Sequence, residues 1–297
     1  MKMQVLSEQT KKLIELALAE DIGSGDCTSN AIIPEDALGI FAFTAREKML
    51  VCGMEIAKYI MRDLQFEARC HDGNKLQAGM QFAIVRGNVR EILRLERVTL
   101  NFLQRLSGIA TLTNKYVAET CNTVAQIFDT RKTTPAFREL EKYAVRCGGG
   151  QNHRMCLDDM VLIKDNHIAA AGGIAAAVEK ARKFTKNRHP EFISGSHDKM
   201  LKQVQHDKNI KIMLEVDNLT QLQQAIIAQP DIIMLDNFSL ADLKKAVELT
   251  AGKIPLEASG GVSLQTARAI AETGVQRIST SKITQSAPAV DIGLDEC

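Results

Sequence analysis

Six short apolar runs, the first of which begins at residue 124, restrict the fold of this chain more than any other feature of its sequence. Segments with the apolar spacing of helices separate them, and each run ends in a charged or Gly/Ser-rich cluster. Short apolar runs bounded in this way are typical of buried strands. Strands that alternate with helices form parallel sheets, and such a series is typical of a barrel. The sequence therefore predicts a parallel (β/α) barrel with strands at residues 124–128, 161–163, 212–214, 232–235, 254–256 and 277–279.

The polar clusters that follow these runs are the candidate functional residues. In parallel α/β proteins the carboxyl ends of the strands meet at one edge, and the chemistry is placed there. The first two runs end before cations, the third and fourth before carboxylates, and the fifth before a glycine-rich turn. These clusters contain Arg131, Lys132, Lys164, Glu215, Asp236, Ser259, Gly260 and Gly261.

Positive charge is concentrated between Arg131 and Lys164. Seven lysine and arginine residues lie in this interval against four acidic residues, whereas the net charge of the whole chain is +1. A local excess of cations steers and holds a negatively charged ligand. The turn at Gly148–Gly150 lies in the same interval and can bring backbone N–H groups close to such a ligand. The interval therefore predicts an anion-binding site.

The first hundred residues differ from the rest and indicate a separate α/β domain. Residues 38–51 and 80–86 have the patterns of strands, and residues 54–64 between them have the pattern of a helix. A long helical pattern over residues 90–119, with a predicted break at Ser107–Gly108, leads into the barrel. We place the N-terminal domain at residues 1–105 and the barrel domain at 106–285.

One segment of the barrel, residues 187–208, breaks the alternation of strands and helices. It follows a helical pattern at 171–183, is polar and weakly periodic, and is longer than a barrel connection of about 2–6 residues. Three of the six histidines lie in it. No carboxylate or cysteine with ligand spacing accompanies them, so we expect a surface insertion rather than a metal site.

Composition disfavours several classes of protein. A net charge near zero argues against a nucleic-acid-binding protein dominated by phosphate contacts. The seven cysteines are scattered and form no C-x-x-C pair, which is typical of reduced thiols in a cytoplasmic protein. The longest apolar stretch, residues 168–178, contains two glycines and is too short to span a membrane. We therefore expect a cytoplasmic protein that acts on neither nucleic acid nor membrane.

Several motifs in the chain carry a family resemblance. D-T-R-K-T-T-P at 129–135, K-Y-A-V-R-C-G-G-G-Q-N-H-R at 142–154 and L-I-K-D-N-H at 162–167 are followed by E-A-S-G-G-V at 257–262. This series resembles the quinolinate phosphoribosyltransferase family. The members of that family are decarboxylating enzymes of NAD synthesis and are type II phosphoribosyltransferases. The resemblance extends along nearly the whole chain. It implies an N-terminal α/β sandwich followed by an incomplete (β/α) barrel, with a C-terminal tail, residues 286–297, that returns to the first domain.

The resemblance implies a reaction and a set of site residues. Phosphoribosyl pyrophosphate would transfer its phosphoribosyl group to the ring nitrogen of quinolinate, with loss of CO₂, to give nicotinate mononucleotide and pyrophosphate. Both substrates are anionic and require fixed cations, and the planar guanidinium of arginine suits carboxylates. The implied substrate contacts are Arg97, Thr130, Arg131, His153, Arg154, Lys164, Ser259, Gly260, Gly261 and Ser281. The implied catalytic residues are Lys132, Lys164, Glu215 and Asp236.

A cofactor and an assembly are also implied by the resemblance. Glu215 and Asp236 would bind Mg²⁺, and the enzyme would be a homodimer or higher homo-oligomer with shared active sites, in which Arg97 enters the neighbour's pocket. The family usually has glycine and histidine where this chain has Ser281 and Gln285. We therefore expect the phosphate contact at Ser281 to differ in detail.

Two other functional classes stay open on the residues themselves. A lysine after an apolar strand, as at Lys164, is also typical of Schiff-base aldolases. A non-catalytic phosphosugar-binding protein could use the same anion pocket, but we would expect it to have lost an acid or a base at the strand ends. Lys132, Lys164, Glu215 and Asp236 are all present in this chain, which favours an enzyme.

Overall fold

The structure, a computed structural model, describes residues 6–186 and 210–297. The predicted insertion at 187–208 lies outside the described residues. The chain divides into two compact units. The sandwich unit contains the chain up to Ala118 together with Asp129–Asn152 and Ser281–Cys297, and the barrel unit contains Glu119–Phe128 and the described part of His153–Thr280. The predicted boundary between residues 105 and 106 stays a prediction.

Two antiparallel sheets form the β-structure of the sandwich unit. The larger has the strand order β12-β1-β5-β3, so the last strand of the chain pairs with the first. Phe43 in β1 packs against Phe66 and Phe82, with ring centroids 6.1 Å apart in both pairs. The strands of this unit are β1 (Leu38–Ala45), β2 (Met49–Leu50), β3 (Gln65–Ala68), β4 (Lys75–Leu76), β5 (Gln81–Asn88) and β12 (Ile292–Glu296).

A long helix dominates the α-structure of the sandwich unit, and it is not broken at Ser107–Gly108 as predicted. Gly108 instead allows a close backbone approach, because a Cβ there would lie 2.0 Å from the carbonyl oxygen of Pro288. The Ser107 hydroxyl accepts from the Cys52 N–H at 2.9 Å. The helices are α1 (Glu8–Ile22), α2 (Cys27–Ile32), α3 (Met54–Ile60), α4 (Val89–Glu119), α5 (Arg138–Cys147) and α11 (Lys282–Gln285).

Among the described residues of the barrel unit, six parallel strands form one sheet, as predicted, although the fifth strand covers Leu256–Ser259 and not residues 254–256. Their order is β6-β11-β10-β9-β8-β7. In a closed barrel with this order β6 and β7 would be neighbours, but here they are the two edge strands of the sheet and are not paired with each other. The predicted incomplete (β/α) barrel is thus confirmed. The strands are β6 (Gln126–Phe128), β7 (Val161–Ile163), β8 (Ile212–Val216), β9 (Ile232–Asp236), β10 (Leu256–Ser259) and β11 (Arg277–Ser279).

Helices follow the strands of the barrel unit, and one of them starts later than predicted. The helix predicted at 171–183 begins at Ile174, because Gly172 and Gly173 have positive φ angles of 91° and 124° and separate it from a preceding helix that ends at Ala171. Across the described ranges of the chain, no helix is long and apolar enough to cross a membrane. The helices are α6 (Asp165–Ala171), α7 (Ile174–Lys186), α8 (Leu219–Ala228), α9 (Leu240–Thr250) and α10 (Leu264–Ala271).

One face of the barrel sheet changes from apolar to polar along the strands. Met160, Met213, Ile232 and Met234 form a buried cluster against Leu162. The parallel register and the alternation of side chains in a strand place Lys164, Glu215 and Asp236 further along this same face. The apolar cluster therefore supports a polar layer at the carboxyl ends of the strands.

Candidate active site

An ion pair joins two neighbouring strand ends in the barrel unit. Lys164 follows β7 and Glu215 lies in β8, and the register that pairs Ile163 with Leu214 places them side by side. Lys164 Nζ donates to Glu215 Oε2 at 2.5 Å. The Glu215 side chain is 13% exposed and that of Lys164 44%, so the carboxylate is largely buried while the ammonium reaches solvent. The Lys164 backbone N–H donates to Nδ1 of His167 at 3.0 Å, which gives His167 a local structural role.

The next two strands end in Asp236 and Ser259, which are paired directly in the register. Asn237 links them, since its backbone N–H donates to the Ser259 carbonyl at 2.9 Å and its Nδ2 donates to Asp236 Oδ2 at 2.8 Å. Glu215 pairs with Met234, two residues before Asp236, so both acids project from one face. Two carboxylates on neighbouring strands suit Mg²⁺, which proteins hold through one or two carboxylates together with substrate phosphates.

The turn after Ser259 has a conformation that glycine makes possible. Gly260 and Gly261 have positive φ angles of 82° and 62°. A Cβ at Gly260 would lie 2.2 Å from Asn237 Oδ1 and 2.9 Å from the Asn237 backbone nitrogen, whereas a Cβ at Gly261 would meet nothing within 4 Å. Successive backbone N–H groups in such turns form anion-binding concavities. The turn can therefore hold a phosphate without a charged side chain.

A fully buried carboxylate, Glu257, lies in β10, and no role is predicted for it from the sequence. Its Oε2 accepts from Arg277 Nε at 2.6 Å, and its Oε1 lies 3.4 Å from His153 Nε2. The Glu257 and His153 side chains are 0% and 6% exposed. The Arg277 guanidinium lies 3.6 Å from the centroid of the Phe128 ring. One carboxylate thus connects His153 to three strands of the barrel unit.

The protonation of Glu257 reflects this pairing. Burial raises the pKa of a carboxyl group, but the proximity of His153 and Arg277 outweighs burial and holds the pKa of Glu257 below its ordinary value. Glu257 is therefore ionised at neutral pH. Nothing in the apolar spacing of the chain distinguishes such an acid from a surface glutamate, although it opens the E-A-S-G-G-V motif.

His153 and Arg154, both predicted to bind substrate, lie in the barrel unit. The Arg154 backbone N–H donates to His153 Nδ1 at 2.8 Å. The Arg154 guanidinium is partly buried, and its Nη1 donates to the Met160 carbonyl at 3.2 Å. Each of the two side chains is therefore held by a hydrogen bond to the backbone, the His153 ring by the Arg154 N–H and the Arg154 guanidinium by the Met160 carbonyl.

The predicted cationic loop, Thr130–Lys132, belongs to the sandwich unit. The loop follows Asp129, which forms a buried ion pair with Lys142. Both of these side chains are 0% exposed. Asn152 Nδ2 also donates to Asp129 Oδ2, at 2.6 Å. Lys142 contributes to the excess of positive charge in the sequence, but it neutralises Asp129 inside the unit and is not available to a ligand. The Lys132 backbone N–H donates to Thr130 Oγ1 at 3.0 Å, which tightens the loop.

Arg131 retains a buried donor that no described residue satisfies. Its Nε has no hydrogen-bond partner among the described residues, and an unsatisfied buried donor costs free energy. A carboxylate or phosphate ligand would supply the acceptor. Lys132 is exposed, and its carbonyl accepts from Thr284 Oγ1 at 2.9 Å. Ser281 is the N-cap residue of α11, and its carbonyl accepts the Gln285 N–H at 2.9 Å.

Arg97 lies on α4 of the sandwich unit and is exposed. It forms no ion pair with any residue that the structure describes. An exposed, unpaired guanidinium is able to bind an anion or a second chain.

A second polar cluster lies in the core of the sandwich unit, away from the predicted residues. One ligand atom each of Cys52, Asp72 and Cys147 lies within 4.8 Å of the others. Both Asp72 oxygens are already acceptors, one from the backbone N–H groups of Gly53 and Met54 and the other from the Tyr143 hydroxyl. We therefore interpret Asp72 as a structural carboxylate at the start of α3.

Both parts of the chain match one sequence family. Residues 26–107 match the sequence family described as quinolinate phosphoribosyl transferase, N-terminal domain. Residues 109–194 and 186–295 match the family described as quinolinate phosphoribosyl transferase, C-terminal domain. The chain belongs to the quinolinate phosphoribosyltransferase family. The resemblance inferred from the motifs is thus confirmed.

Named members of the quinolinate phosphoribosyltransferase family are similar over almost the full chain. Quinolinate phosphoribosyltransferase (decarboxylating) 2 of Nicotiana glauca is 39% identical, over 96% of this chain and 81% of the relative. The probable nicotinate-nucleotide pyrophosphorylase (carboxylating) of Bacillus subtilis is 39% identical, over 97% of this chain and 93% of the relative. The solved structure of the nicotinate-nucleotide pyrophosphorylase of Francisella tularensis is 40% identical, with a TM-score of 0.86 that covers 99% and 98% of the two chains.

Proposed function

We propose that this chain is a phosphoribosyltransferase that converts quinolinate and phosphoribosyl pyrophosphate into nicotinate mononucleotide, pyrophosphate and CO₂, as a step of NAD synthesis. Its membership of the family carries this conclusion. The layer of Lys164, Glu215 and Asp236 beside the Ser259–Gly261 turn supports it, because a phosphosugar needs charged groups and a phosphate-binding turn at one edge of the barrel sheet.

We assign the substrate contacts by charge and by motif. Quinolinate is a pyridine dicarboxylate, and Arg131, His153, Arg154 and Lys164 supply donors for it. The unsatisfied Nε of Arg131 supports an anion at that residue. The turn at Ser259, Gly260 and Gly261 serves the 5′-phosphate, while Thr130, Lys132 and Ser281 serve the phosphoribosyl pyrophosphate.

Glu215 and Asp236 are assigned to the ribose and to a metal ion in this proposal. They would hold the ribose hydroxyls and a Mg²⁺ ion, which when bound would neutralise charge on the pyrophosphate. The ion pair with Lys164 orients Glu215 for this role. Because Lys164 carries the opposite charge, the pair keeps the carboxylate in place before a substrate arrives.

The reaction itself follows from electrostatics and position. The ring nitrogen of quinolinate attacks C1 of the ribose as the C1–O bond to pyrophosphate breaks, and positive charge develops on the sugar. The nitrogen of the product ring is then quaternary and positive, so it accepts the electron pair released when the 2-carboxylate leaves as CO₂. The protein contributes alignment and fixed charges rather than a covalent intermediate.

A Schiff-base lyase that uses Lys164 is the second candidate. The ion pair disfavours it, because an ammonium held by a carboxylate at 2.5 Å lacks the lone pair that an amine nucleophile needs. We further propose that the enzyme acts in the cytoplasm as a homodimer or larger homo-oligomer with Arg97 contributed to a neighbour's site.

Pyrophosphate release tests the proposed function. Purified protein with Mg²⁺ is expected to release pyrophosphate when quinolinate and phosphoribosyl pyrophosphate are both present, and not when either is omitted. Release that does not depend on quinolinate would contradict the proposal, since it would indicate hydrolysis of the phosphosugar or a different acceptor.

A further inference from the structure

The side chain of Thr284 connects two segments that the proposed function assigns to phosphoribosyl pyrophosphate. Thr284 lies in α11 of the sandwich unit and is fully buried. Its hydroxyl has one proton to donate, and it shares this proton between the carbonyl of Lys132, at 2.9 Å, and the carbonyl of Ser281, at 3.1 Å. One buried hydroxyl therefore joins the backbones of Lys132 and Ser281.

The backbone of Lys132 is held on both sides, whereas its ammonium group is left available. Its N–H donates to Thr130 Oγ1 at 3.0 Å, and its carbonyl accepts from Thr284. The residue is exposed, and its ammonium forms no ion pair with any residue that the structure describes. A fixed backbone below an unpaired ammonium suits a cation that is positioned before an anionic ligand arrives.

Arg105 in turn fixes the position of Thr284. It lies in α4, and its Nη2 donates to the Thr284 carbonyl at 2.6 Å. Its Nη1 donates to the Ala287 carbonyl at 2.8 Å. The guanidinium is planar and its donors have a fixed geometry. Two carbonyls of the segment that contains α11 are thus held by one rigid group.

A buried carboxylate connects Arg105 to the cationic loop. Glu141 is 0% exposed, and its Oε1 accepts from Arg105 Nη2 at 2.6 Å and from Thr134 Oγ1 at 2.9 Å. Its Oε2 accepts the Thr134 N–H at 3.2 Å. Breaking such a pair would leave a buried charge without compensation, which is strongly unfavourable. The loop is therefore tied to the Arg105–Glu141 pair twice, directly at Thr134 and through Thr284 at Lys132.

We propose that Thr284 is a positioning residue of the active site, whose buried hydroxyl holds the Lys132 backbone beside Ser281 so that both residues meet phosphoribosyl pyrophosphate in a fixed relation. This inference rests on the proposed function, because that function supplies the ligand of Lys132 and Ser281. Thr284 acts through Lys132 and does not itself contact the substrate.

The neighbouring residue Arg131, which is assigned to quinolinate, is held by other contacts. Its carbonyl accepts from Arg138 Nη2 at 3.3 Å and from the Thr133 N–H at 3.0 Å. Loss of the Thr284 hydroxyl leaves both of these contacts in place. We therefore expect the Thr284 contact to matter for the phosphosugar and not for quinolinate.

The variant Thr284→Val tests this expectation, because it removes the hydroxyl with little change of shape and leaves the Lys132 carbonyl without its donor. We expect KM for phosphoribosyl pyrophosphate to rise about three- to tenfold, the range that one hydrogen bond accounts for, with KM for quinolinate unchanged. Thr284→Ser keeps the hydroxyl and is expected to restore the wild-type KM. Thr250→Val is the matched control and should leave both KM values unchanged, because the Thr250 hydroxyl is also buried and donates to a carbonyl within α9, that of Ala246, at 2.7 Å.

Calorimetric titration with pyrophosphate in the presence of Mg²⁺ tests whether Thr284 acts through Lys132, and it requires no turnover. Lys132→Met removes the ammonium and is expected to weaken pyrophosphate binding more than Thr284→Val does. In the double variant, Thr284→Val is expected to add nothing to the loss caused by Lys132→Met, because no ammonium is left to position. Losses that add in the double variant would overturn the proposal, since they would indicate a general effect on the fold.

Other outcomes of the two measurements are also decisive. A wild-type KM in Thr284→Val, a Thr284→Ser variant as impaired as Thr284→Val, or wild type that does not bind pyrophosphate would overturn the proposal. If Thr284→Val does not fold, Thr284→Ala, which also removes the hydroxyl, replaces it in both measurements. Non-additive binding losses without any turnover by wild type would refute the proposed function and leave the positioning role standing, whereas turnover with additive losses would do the opposite.

Discussion

Lys164 Nζ and Glu215 Oε2 lie 2.5 Å apart across the neighbouring parallel strands β7 and β8. This pair separates the two enzyme classes that the sequence left open. A Schiff-base lysine needs a neutral amine, whereas a lysine that binds a dicarboxylate needs its charge. The contact with Glu215 occupies Lys164 Nζ and directs it along the polar face of the barrel sheet.

Lys164 is therefore expected to act without a covalent intermediate. Borohydride added with the substrates should leave Lys164 unmodified in mass spectra of tryptic peptides. Lys164→Met removes a fixed cation and is expected to lower kcat/KM by about 100-fold or more, the usual effect of losing one preorganised group in a site. Lys183→Met, which removes an exposed surface lysine, should be silent. A borohydride-reduced adduct on Lys164 would favour the aldolase class instead.

Quinolinate, and not nicotinate, is expected to be the substrate. The residues proposed to contact quinolinate, Arg131, His153, Arg154 and Lys164, supply more donors than a single carboxylate requires. Arg154→Ala leaves a substrate carboxylate unpaired, which costs about 3–5 kcal/mol, or roughly two to four decades in kcat/KM. Steady-state kinetics with both pyridine acids measure this selectivity. Comparable kcat/KM values for the two acids would rule out the assignment.

Gly260 is expected to be essential for binding the phosphosugar. Gly260→Ala places a Cβ 2.2 Å from Asn237 Oδ1, which forces the turn away from Asp236 and should raise KM for phosphoribosyl pyrophosphate more than KM for quinolinate. Gly252→Ala is the matched control, because Gly252 also has a positive φ but a Cβ there meets nothing within 4 Å. Equal effects of the two variants on KM would show that backbone strain alone, and not the Asn237 contact, is responsible.

A shared active site is expected if Arg97 serves a neighbouring chain. Arg97→Ala and Lys164→Ala should each be nearly inactive. When the two are unfolded together and refolded as a mixture, about half of the dimers pair unlike chains. Each such dimer carries one site with both defects and one with neither, so activity should recover to about a quarter of wild type. A mixture as inactive as its parents would show that Arg97 acts within its own chain or not at all.

Glu257 is expected to make the stability of the fold sensitive to acid. Its pKa is lower in the folded chain than in the unfolded chain, so its ionised form stabilises the fold above the ordinary pKa of a glutamate. This contribution is lost as the pH falls through the folded pKa, with a slope of at most about 1.4 kcal/mol per pH unit. Urea unfolding below about pH 4.5 should therefore show a shallower pH dependence for Glu257→Gln than for wild type. A parallel dependence would mean that the carboxyl group titrates equally in both states.

Much of the barrel could be predicted because its signals are local. A strand such as β7 is an apolar run with a cation directly after it, and parallel topology then brings successive strand ends such as Lys164 and Glu215 together. Gly108 shows the limit of such signals. A glycine within a helical pattern predicts a break, but here it accommodates the Pro288 carbonyl, a contact across 180 positions of sequence that no local pattern contains.

The buried polar residues could not be predicted for the same reason. Lys142 is one of seven cations in its interval, and only the tertiary structure shows that Asp129 neutralises it. Glu257 has the sequence surroundings of any acid at a strand end, yet it is fully buried between His153 and Arg277. Charge counts from sequence therefore predict an anion site, but they do not separate the residues proposed to bind the ligand from those that neutralise a buried charge.

The most direct test of the whole account follows the carboxyl carbon of the substrate. Protein, Mg²⁺, phosphoribosyl pyrophosphate and quinolinate labelled with ¹⁴C in its 2-carboxylate are incubated together, and trapped CO₂ and nicotinate mononucleotide are counted. The account predicts that labelled CO₂ and unlabelled nicotinate mononucleotide form in a one-to-one ratio and only when phosphoribosyl pyrophosphate is present. Label retained in a nucleotide product, or CO₂ released without the phosphosugar, would contradict it.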